Sequence, residues 1–349
     1  MAGIPNPATK RARIADVALE AGVARSTAAL ALRDSPRLRV ETRLAVQQAA
    51  ERLGYVYNRS AARLRSGRSY VIGMLVCEIT NPFYAELTAG VQAALESAGY
   101  AVLLANTAES PVRQRRMLER FREQSVDGII MMPATGTPAS LLDELDEWGL
   151  PCVTVVRGFR RGAHAGPDNA TGTRLATEHL LRLGHRDIAF LGGAARNSVS
   201  SGRWEGYARA MTASGLMPLH LPCRTDMGEA SDFVATLTSA GPTALVCFND
   251  SVAFGASLGL LRAGRQPGRD VALTGFDDIR EASSWFPPLT TVRVAAVDIG
   301  IAGARILLDR IQDPSAPARR ETLAPTLMVR ASCGAGLRLP AARRKARTT

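Results

Sequence analysis

The sequence predicts an α/β protein, with a small helical head followed by a body of two doubly wound lobes. Three observations carry this reading. Residues 13–53 place apolar side chains at three- and four-residue spacing, which is the period of helices. From Tyr70 onward, short β-rich runs alternate with amphipathic stretches, and strict β-α alternation calls for a parallel sheet covered by helices on both faces. The charge is divided as well: residues 1–70 hold 13 basic and 5 acidic side chains, 71–337 hold 25 and 27, and 338–349 hold 5 basic and none acidic.

The first nine residues read as a disordered arm. A helix then opens near Arg13, with Ile14, Val17, Ala18 and Ala21 on one face, and Gly22 ends it. A second, shorter helix runs from about Ala24 to Leu32, with Ala28, Ala31 and Leu32 available for burial, and Asp34-Ser35-Pro36 stops it. The third, about Glu41–Leu53, is expected to bury Leu44, Val46, Ala50 and Leu53. The stretch Asn58–Arg68 is rich in Ala and Arg, with Leu64 as its only large apolar side chain.

In the body, strands are expected at Val71–Cys77, Ala101–Leu104, Gly128–Met132, Cys152–Val156, Ile188–Leu191, Ala244–Phe248 and Val271–Gly275. Helices are expected near 83–98, 111–124, 138–148, 170–183, 202–214, 229–239 and 251–263. Seven strands with a seam near 157–168 suggest two lobes rather than one sheet. A helix at about Val297–Ile311 and a strand near Thr326–Val329 close the body, and 338–349 reads as a basic disordered tail.

Composition removes several classes of function. No run of eighteen apolar residues is present, so no membrane-spanning helix and no membrane partner are expected. The start of the chain has no apolar core segment, so no secretory signal is expected either. The five cysteines, Cys77, Cys152, Cys223, Cys247 and Cys333, form no C-x-x-C pair; a reducing cytoplasm fits, and a disulfide framework or zinc site does not. The four histidines show no metal-ligand spacing, and His179 and His185 look structural. No nucleophile-elbow or phosphate-loop signature occurs, so neither a cofactor, a metal nor catalysis is expected.

The head carries the clearest chemistry. A helix, a Gly-containing turn and a shorter helix make the helix-turn-helix arrangement, whose second helix enters the major groove. Arg25, Ser26 and Thr27 stand at its N-terminal end, placed to reach base edges or phosphate, and an arginine forked onto guanine discriminates by about 1–3 kcal/mol. On pattern alone a generic small helical bundle with a solvated basic face is nearly as good a reading. The excess of 8 positive charges over residues 1–70 turns the balance toward DNA.

The run Arg13-Ile14-Ala15-Asp16-Val17-Ala18-Leu19-Glu20-Ala21-Gly22-Val23-Ala24-Arg25-Ser26-Thr27 resembles the head of the lac repressor (LacI/GalR) family of bacterial transcription regulators. The resemblance continues through Glu41-Thr42-Arg43, Leu53-Gly54-Tyr55 and Asn58-Arg59-Ser60-Ala61-Ala62-Arg63-Leu64-Arg65. In the body it includes Asn81-Pro82-Phe83-Tyr84, Val126-Asp127-Gly128, Arg203-Trp204-Glu205-Gly206-Tyr207, Asn249-Asp250, Gly275-Phe276-Asp277-Asp278 and Pro288-Leu289-Thr290-Thr291. Each motif alone is weak; the collinear set over about 13–333 is specific.

The resemblance implies a homodimer whose heads read a roughly palindromic DNA operator. It implies a helix-turn-helix domain at 11–57, a hinge at 58–69, a periplasmic-binding-protein-like effector and dimerisation domain at 70–337, and the tail. The lobes would comprise about 70–164 with 295–322, and 165–294 with 323–337. DNA contacts are implied for Arg13, Arg25, Ser26, Thr27, Leu30, Tyr55, Asn58, Ala61 and Arg63. Leu64 would wedge into the minor groove, a costly unstacking offset by a bent duplex. The chain departs from the family at Ala24, usually a capping serine, at Leu30, often polar, at Ala28-Ala29, usually Val-Ser, and at Tyr57, commonly proline.

In two-lobed α/β bodies ligands bind outside the carboxyl ends of the strands. By resemblance, Arg203 and Asp277 would hydrogen-bond hydroxyls of a small-molecule effector such as a sugar, Asn249 would assist, and Phe83 would stack on it beside Tyr84. Trp204 and Trp285 read as packing residues. Arg157 and Arg196 also follow strand ends. Facing inward they would suit a carboxylate or phosphate; the alternative, which the sequence favours, is solvated or salt-bridged loop arginines. Ser198 and Ser201 are further candidates. The expected function is a DNA-binding repressor released by its effector, with a regulator that needs the effector as corepressor as the alternative. A solute-binding protein would need a secretion signal and no basic head, and an enzyme would need a nucleophile, an acid–base pair or a metal set.

Overall fold

A computed structural model describes residues 12–32, 37–55, 67–193, 197–237 and 241–335. The hinge positions Asn58, Ala61, Arg63 and Leu64, the candidate Arg196, the N-terminal arm and the tail 338–349 lie outside the described residues. The chain divides between Ser69 and Tyr70 into two compact units.

The first unit contains α1 (Ile14–Glu20), α2 (Arg25–Ala31) and α3 (Val40–Arg52). Gly22 joins the first two helices at φ +63°, a left-handed conformation that glycine adopts without a Cβ penalty. Val17 and Ala18 of α1, Ala28 and Ala31 of α2, and Val46, Ala49 and Ala50 of α3 form one small core. Arg52 Nε reaches Glu20 Oε1 at 3.2 Å and ties α3 to α1. Two expected core residues are corrected here: Leu44 is 50% exposed and Leu53 37%. Both satisfy the helical period, but the alanines let α3 sit so close that one narrow stripe suffices for contact.

The second unit runs β1 (Val71–Val76), α4 (Pro82–Ser97), β2 (Ala101–Asn106), α5 (Pro111–Glu123), β3 (Gly128–Met131), α6 (Leu141–Glu147), β4 (Cys152–Val155) and β5 (Ala163–Pro167). It continues through α7 (Asn169–Arg182), β6 (Ile188–Leu191), α8 (Ser198–Ala213), β7 (Leu219–Leu221), α9 (Met227–Ala235), β8 (Ala244–Cys247), α10 (Asp250–Arg262) and β9 (Ala272–Asp277). Then follow α11 (Glu281–Ser284), β10 (Thr290–Arg293), α12 (Ala296–Gln312), β11 (Arg320–Leu323) and β12 (Thr326–Met328).

Two six-stranded sheets result, ordered β11-β5-β4-β3-β1-β2 and β12-β10-β9-β8-β6-β7. The first is parallel throughout; the second is parallel except for β12, which runs against β10. The central strands β3, β4, β6, β8 and β9 are buried along their whole length, as strands covered on both faces must be. The chain passes between the sheets three times, after β5, β10 and β11.

Twelve strands thus stand among the described residues, where sequence periodicity gives eight. The seam expected near 157–168 contains β5, whose Ala-His-Ala-Gly-Pro sequence lacks β-branched residues. The other omissions, β7, β10 and β11, have only three or four residues each. Runs so short give no period to detect.

Within each lobe a pair of helices packs backbone to backbone. A Cβ on Gly90 of α4 would meet the Val297 carbonyl of α12 at 2.1 Å, and one on Gly206 of α8 would meet the Ala170 carbonyl of α7 at 2.1 Å. Gly228 of α9, in contrast, has its nearest outside atom at 3.5 Å. Gly206→Ala is therefore expected to cost about 1–3 kcal/mol through forced separation of the helices, which lowers Tm by about 2–4 °C per kcal/mol for a body of this size. Gly228→Ala should leave Tm unchanged or raised. Thermal unfolding followed by circular dichroism distinguishes these outcomes, and equal Tm values for both variants would refute the close packing.

Candidate DNA-binding head and effector cleft

In the head, Ala24 precedes α2 in an extended conformation with no side chain capping the helix, as its departure from serine implies. Arg25 and Ser26 are exposed and Thr27 half-buried at the start of α2, while Arg13 is exposed just before α1. Arg13 contributes its backbone N–H to Asp16 Oδ2 at 2.7 Å, which leaves its guanidinium outside the cap. Leu30 is 38% exposed on α2. Tyr55 packs against the head core and remains half-exposed. The outer surface of α2 therefore presents a cation, a hydroxyl and an apolar side chain, the set required to read base edges and thymine methyls.

In the body, a cleft of about 630 Å³ opens where the strands of both sheets end. Its first-lobe wall includes Glu78 after β1, Phe83 and Tyr84 at the start of α4, Glu109 after β2, Met132 and Thr135 after β3, and Val156 and Arg157 after β4. The second-lobe wall includes Asn197, Ser200 and Arg203 from the start of α8, Arg224 and Asp226 after β7, Phe248 and Asn249 after β8, and Asp277 at the end of β9. The structure thus brings Phe83, Tyr84, Arg203, Asn249 and Asp277 into one cavity. Ser198 and Ser201 are exposed and stand outside the lining. The helix starts at Ser198, earlier than periodicity suggests, because the Asn197 side chain caps it by accepting from Ser200 N at 3.0 Å. That start directs Ser200 to the cleft instead.

Arg203 is 4% exposed, and all of its nitrogens are engaged. Nε donates to Asn169 Oδ1 at 2.9 Å, Nη2 to Asp277 Oδ1 at 3.1 Å, and Nη1 to the Phe248 carbonyl. Its Cζ lies 3.7 Å from the centre of the Phe276 ring and 4.7 Å from that of Phe248, a cation–π arrangement in a desolvated setting. Burial pushes the Asp277 carboxyl up to about 6, and Arg203 holds it down only in part. Asn249 spends its side-chain oxygen on the α10 N-terminus, accepting from Val252 N at 2.9 Å, which leaves its NH2 group as the donor for a ligand.

Arg157 is also buried, and Nη1 and Nη2 donate to Glu109 Oε2 and Oε1 at 3.0 and 2.9 Å. Nη1 also reaches the Pro133 carbonyl at 3.0 Å and Thr135 Oγ1 at 3.2 Å. Burial pushes Glu109 up, but the bonds and charge of Arg157 outweigh it and hold the carboxyl below its ordinary range. Arg157 is thus salt-bridged, as the sequence favours, yet it faces the cleft. Asn197 Nδ2 donates to Thr135 Oγ1 at 3.3 Å, joining the second lobe to this network. Two buried polar atoms of the lining, Arg157 Nε and Ser200 Oγ, have no hydrogen-bond partner.

Backbone strain concentrates at the same rim. Ala108 (φ 48°), Glu109 (56°), Val156 (63°) and Asp277 (114°) all occupy the positive-φ region, which disfavours side chains with a Cβ, β-branched ones most. None is Gly or Asn, so the sequence gives no sign of it. Asp278 turns away from Asp277, pairing with Arg293 and Arg330 at 2.7 Å each, so the two aspartates are not an acid–base dyad. Trp285 stacks on Phe254 with centroids 4.2 Å apart, and Trp204 packs with Phe190, Tyr207 and His220. His179 meets Cys333 Sγ and His185 meets Thr243 Oγ1. Among the described residues no group of three His, Cys, Asp or Glu side chains is placed to hold a metal, and no helix is long and apolar enough to cross a membrane.

Comparison with known proteins agrees with both units. Residues 13–58 match the family described as bacterial regulatory proteins, lacI family. Residues 69–330 match periplasmic binding proteins and the sugar-binding domain of the LacI family. The chain is 35% identical to the maltose regulon regulatory protein MalI of Escherichia coli (strain K12), covering 86% of this chain and 93% of that one. It is 31% identical to the ribose operon repressor of the same strain, over 92% and 99% of the two chains. Among solved structures, a complex of the transcriptional regulator CelR with cellobiose is similar at 30% identity and a TM-score of 0.70, covering 92% of this chain and all of that one. The lac repressor dimer bound to operator and an anti-inducer shares the fold, at 23% identity and a TM-score of 0.82 over 93% and 99%. The chain belongs to the lacI family of bacterial regulatory proteins: it is a DNA-binding transcription regulator under the control of a small-molecule effector, and not an enzyme.

Proposed function

We propose that this protein is a cytoplasmic, homodimeric repressor released from a roughly palindromic operator by a neutral, polyhydroxylated sugar. The observation that carries the choice of ligand is that both buried arginines of the cleft already have carboxylate partners, Arg203 with Asp277 and Arg157 with Glu109. A guanidinium so matched has little left to offer a phosphate or carboxylate, whereas a charge-balanced pair still accepts and donates hydrogen bonds to hydroxyls. Phe83, Tyr84 and Phe248 supply apolar faces for a sugar ring. The ribose operon repressor and the CelR–cellobiose complex among its relatives support a sugar ligand. The residues proposed to read DNA are Arg13, Arg25, Ser26, Thr27, Leu30 and Tyr55, with Asn58, Ala61, Arg63 and Leu64 in the hinge. Those proposed to hold the effector are Phe83, Tyr84, Arg203, Asn249 and Asp277.

The operator should be held largely by phosphate contacts. Thirteen basic side chains in residues 1–70 of each subunit predict that a dimer loses about a thousandfold or more in affinity between 50 and 200 mM salt. A slope near zero in fluorescence anisotropy would contradict this. Leu64→Ala should weaken operator binding and leave binding to random DNA nearly intact, since only a bent, unstacked site uses the wedge. Equal loss on both DNAs would assign the leucine to folding.

For the effector, Asp277→Asn removes a charged acceptor, and hydrogen bonds to charged groups are worth about 1.5–3 kcal/mol. Calorimetry with a responding sugar should show affinity lowered at least tenfold while anisotropy shows operator binding retained; unchanged sugar affinity would take Asp277 out of the site. The same carboxylate sets a pH dependence. Protonation near about 6 neutralises the acceptor, so sugar affinity should fall as pH is lowered through that value, by about tenfold from pH 7 to 5. The fall should be absent in Asp277→Asn.

A further inference from the structure

We propose that Glu109 is the charge selector of the effector cleft: by occupying the Arg157 guanidinium it restricts the cleft to neutral sugars, and without its charge the same subsite accepts an anion. This rests on the reading of the cleft as a neutral-sugar site and adds the residue that makes it neutral.

The two halves of the pair are unequally fixed. The Arg157 side chain is 11% exposed, that of Glu109 41%. Arg157 keeps the Pro133 carbonyl and Thr135 Oγ1 as partners apart from Glu109, so the cation stays in position whatever stands opposite it. Glu109 is anchored to that spot by Thr135 N at 2.9 Å, and two successive left-handed residues, Ala108 and Glu109, carry it there. Backbone strain of this kind persists only where the surroundings enforce it. Here it places an acid over a buried base.

The consequence is electrostatic exclusion. Among the described residues the lining holds four carboxylates, Glu78, Glu109, Asp226 and Asp277, and three guanidinium groups, Arg157, Arg203 and Arg224, and an incoming anion finds both terminal nitrogens of Arg157 taken. Of the Arg157 nitrogens only Nε is without a partner, enough for one hydroxyl but not for the forked contact that a phosphate or carboxylate requires. Specificity built from a repulsive group in this way rejects the charged forms of a sugar without adding a contact to the neutral one. Arg203 offers no second route, because its partner Asp277 is itself buried, at 8% exposed, where Glu109 is not.

The test uses the full chain as wild type, Glu109→Gln, Glu109→Asp and the double variant Glu109→Gln/Arg157→Met. Inorganic phosphate at pH 7.5 is the anionic probe, and a panel of neutral pentoses, hexoses and disaccharides is the uncharged one; operator binding confirms folding. Phosphate should bind Glu109→Gln at least tenfold more tightly than wild type or Glu109→Asp, and the gain should vanish in the double variant. Equal phosphate binding by wild type and Glu109→Gln, or a gain that survives loss of Arg157, overturns the proposal. Glu109→Ser carries the same expectation should Glu109→Gln fail to fold. The neutral panel on the wild type reports separately on the sugar reading: if no member binds, that reading fails whatever phosphate does.

Discussion

The second lobe is organised around one buried guanidinium. Arg203 leaves α8 and takes acceptors from three other segments: Asn169 at the start of α7, the carbonyl of Phe248 after β8, and Asp277 at the end of β9. Removing a cation from water costs several kcal/mol unless its donors are matched, so these segments must converge to the distances observed. The Phe276 ring beneath the guanidinium fixes its plane, and the positive φ of Asp277 follows from the need to bring a carboxylate to it. The strand ends become a floor with fixed hydrogen-bonding directions because one charge had to be satisfied there.

The first lobe solves the same problem differently. Its buried arginine is covered by a partly exposed acid from a loop, so that wall is adjustable in charge where the other is locked. Asn197 connects the two, since it caps α8, the helix that bears Arg203, and donates to Thr135 of the Arg157 network. Displacement of one wall against the other therefore disturbs a hydrogen bond between groups that both line the cleft. Three chain crossings link the lobes, so a ligand that draws the walls together acts on the connections between the two sheets. Differential affinity of this kind is the whole thermodynamic content of effector control.

Much of this was legible in the sequence, for reasons that differ by level. The head helices follow from the spacing of Ile14, Val17, Ala18 and Ala21 and from Gly22, because amphipathic period and a left-handed turn residue are local signals. Which side of α3 is buried is not local: the helical period points Leu44 and Leu53 inward, whereas the alanines of that helix hold the contact. Long central strands were readable; β5 and β11, poor in β-branched residues, join the sheet because their neighbours complete it. In the cleft, Arg203, Asn249 and Asp277 are found from the family pattern. Glu109 and Ser200 are not, because their placement depends on left-handed backbone at ordinary residues and on a helix start four residues earlier than periodicity indicates.

If a sugar releases the protein from its operator, as proposed, effector in the cleft and operator at the head favour different states of one molecule. Linkage makes this reciprocal: a sugar that weakens operator binding by some factor must itself be bound more weakly, by the same factor, when operator is present. Calorimetric titration of a responding sugar into the protein, with and without saturating operator, measures that factor directly. Weaker sugar binding on DNA, by the factor found in the operator titration, is expected. Sugar affinity that is unchanged or tighter on operator would contradict it.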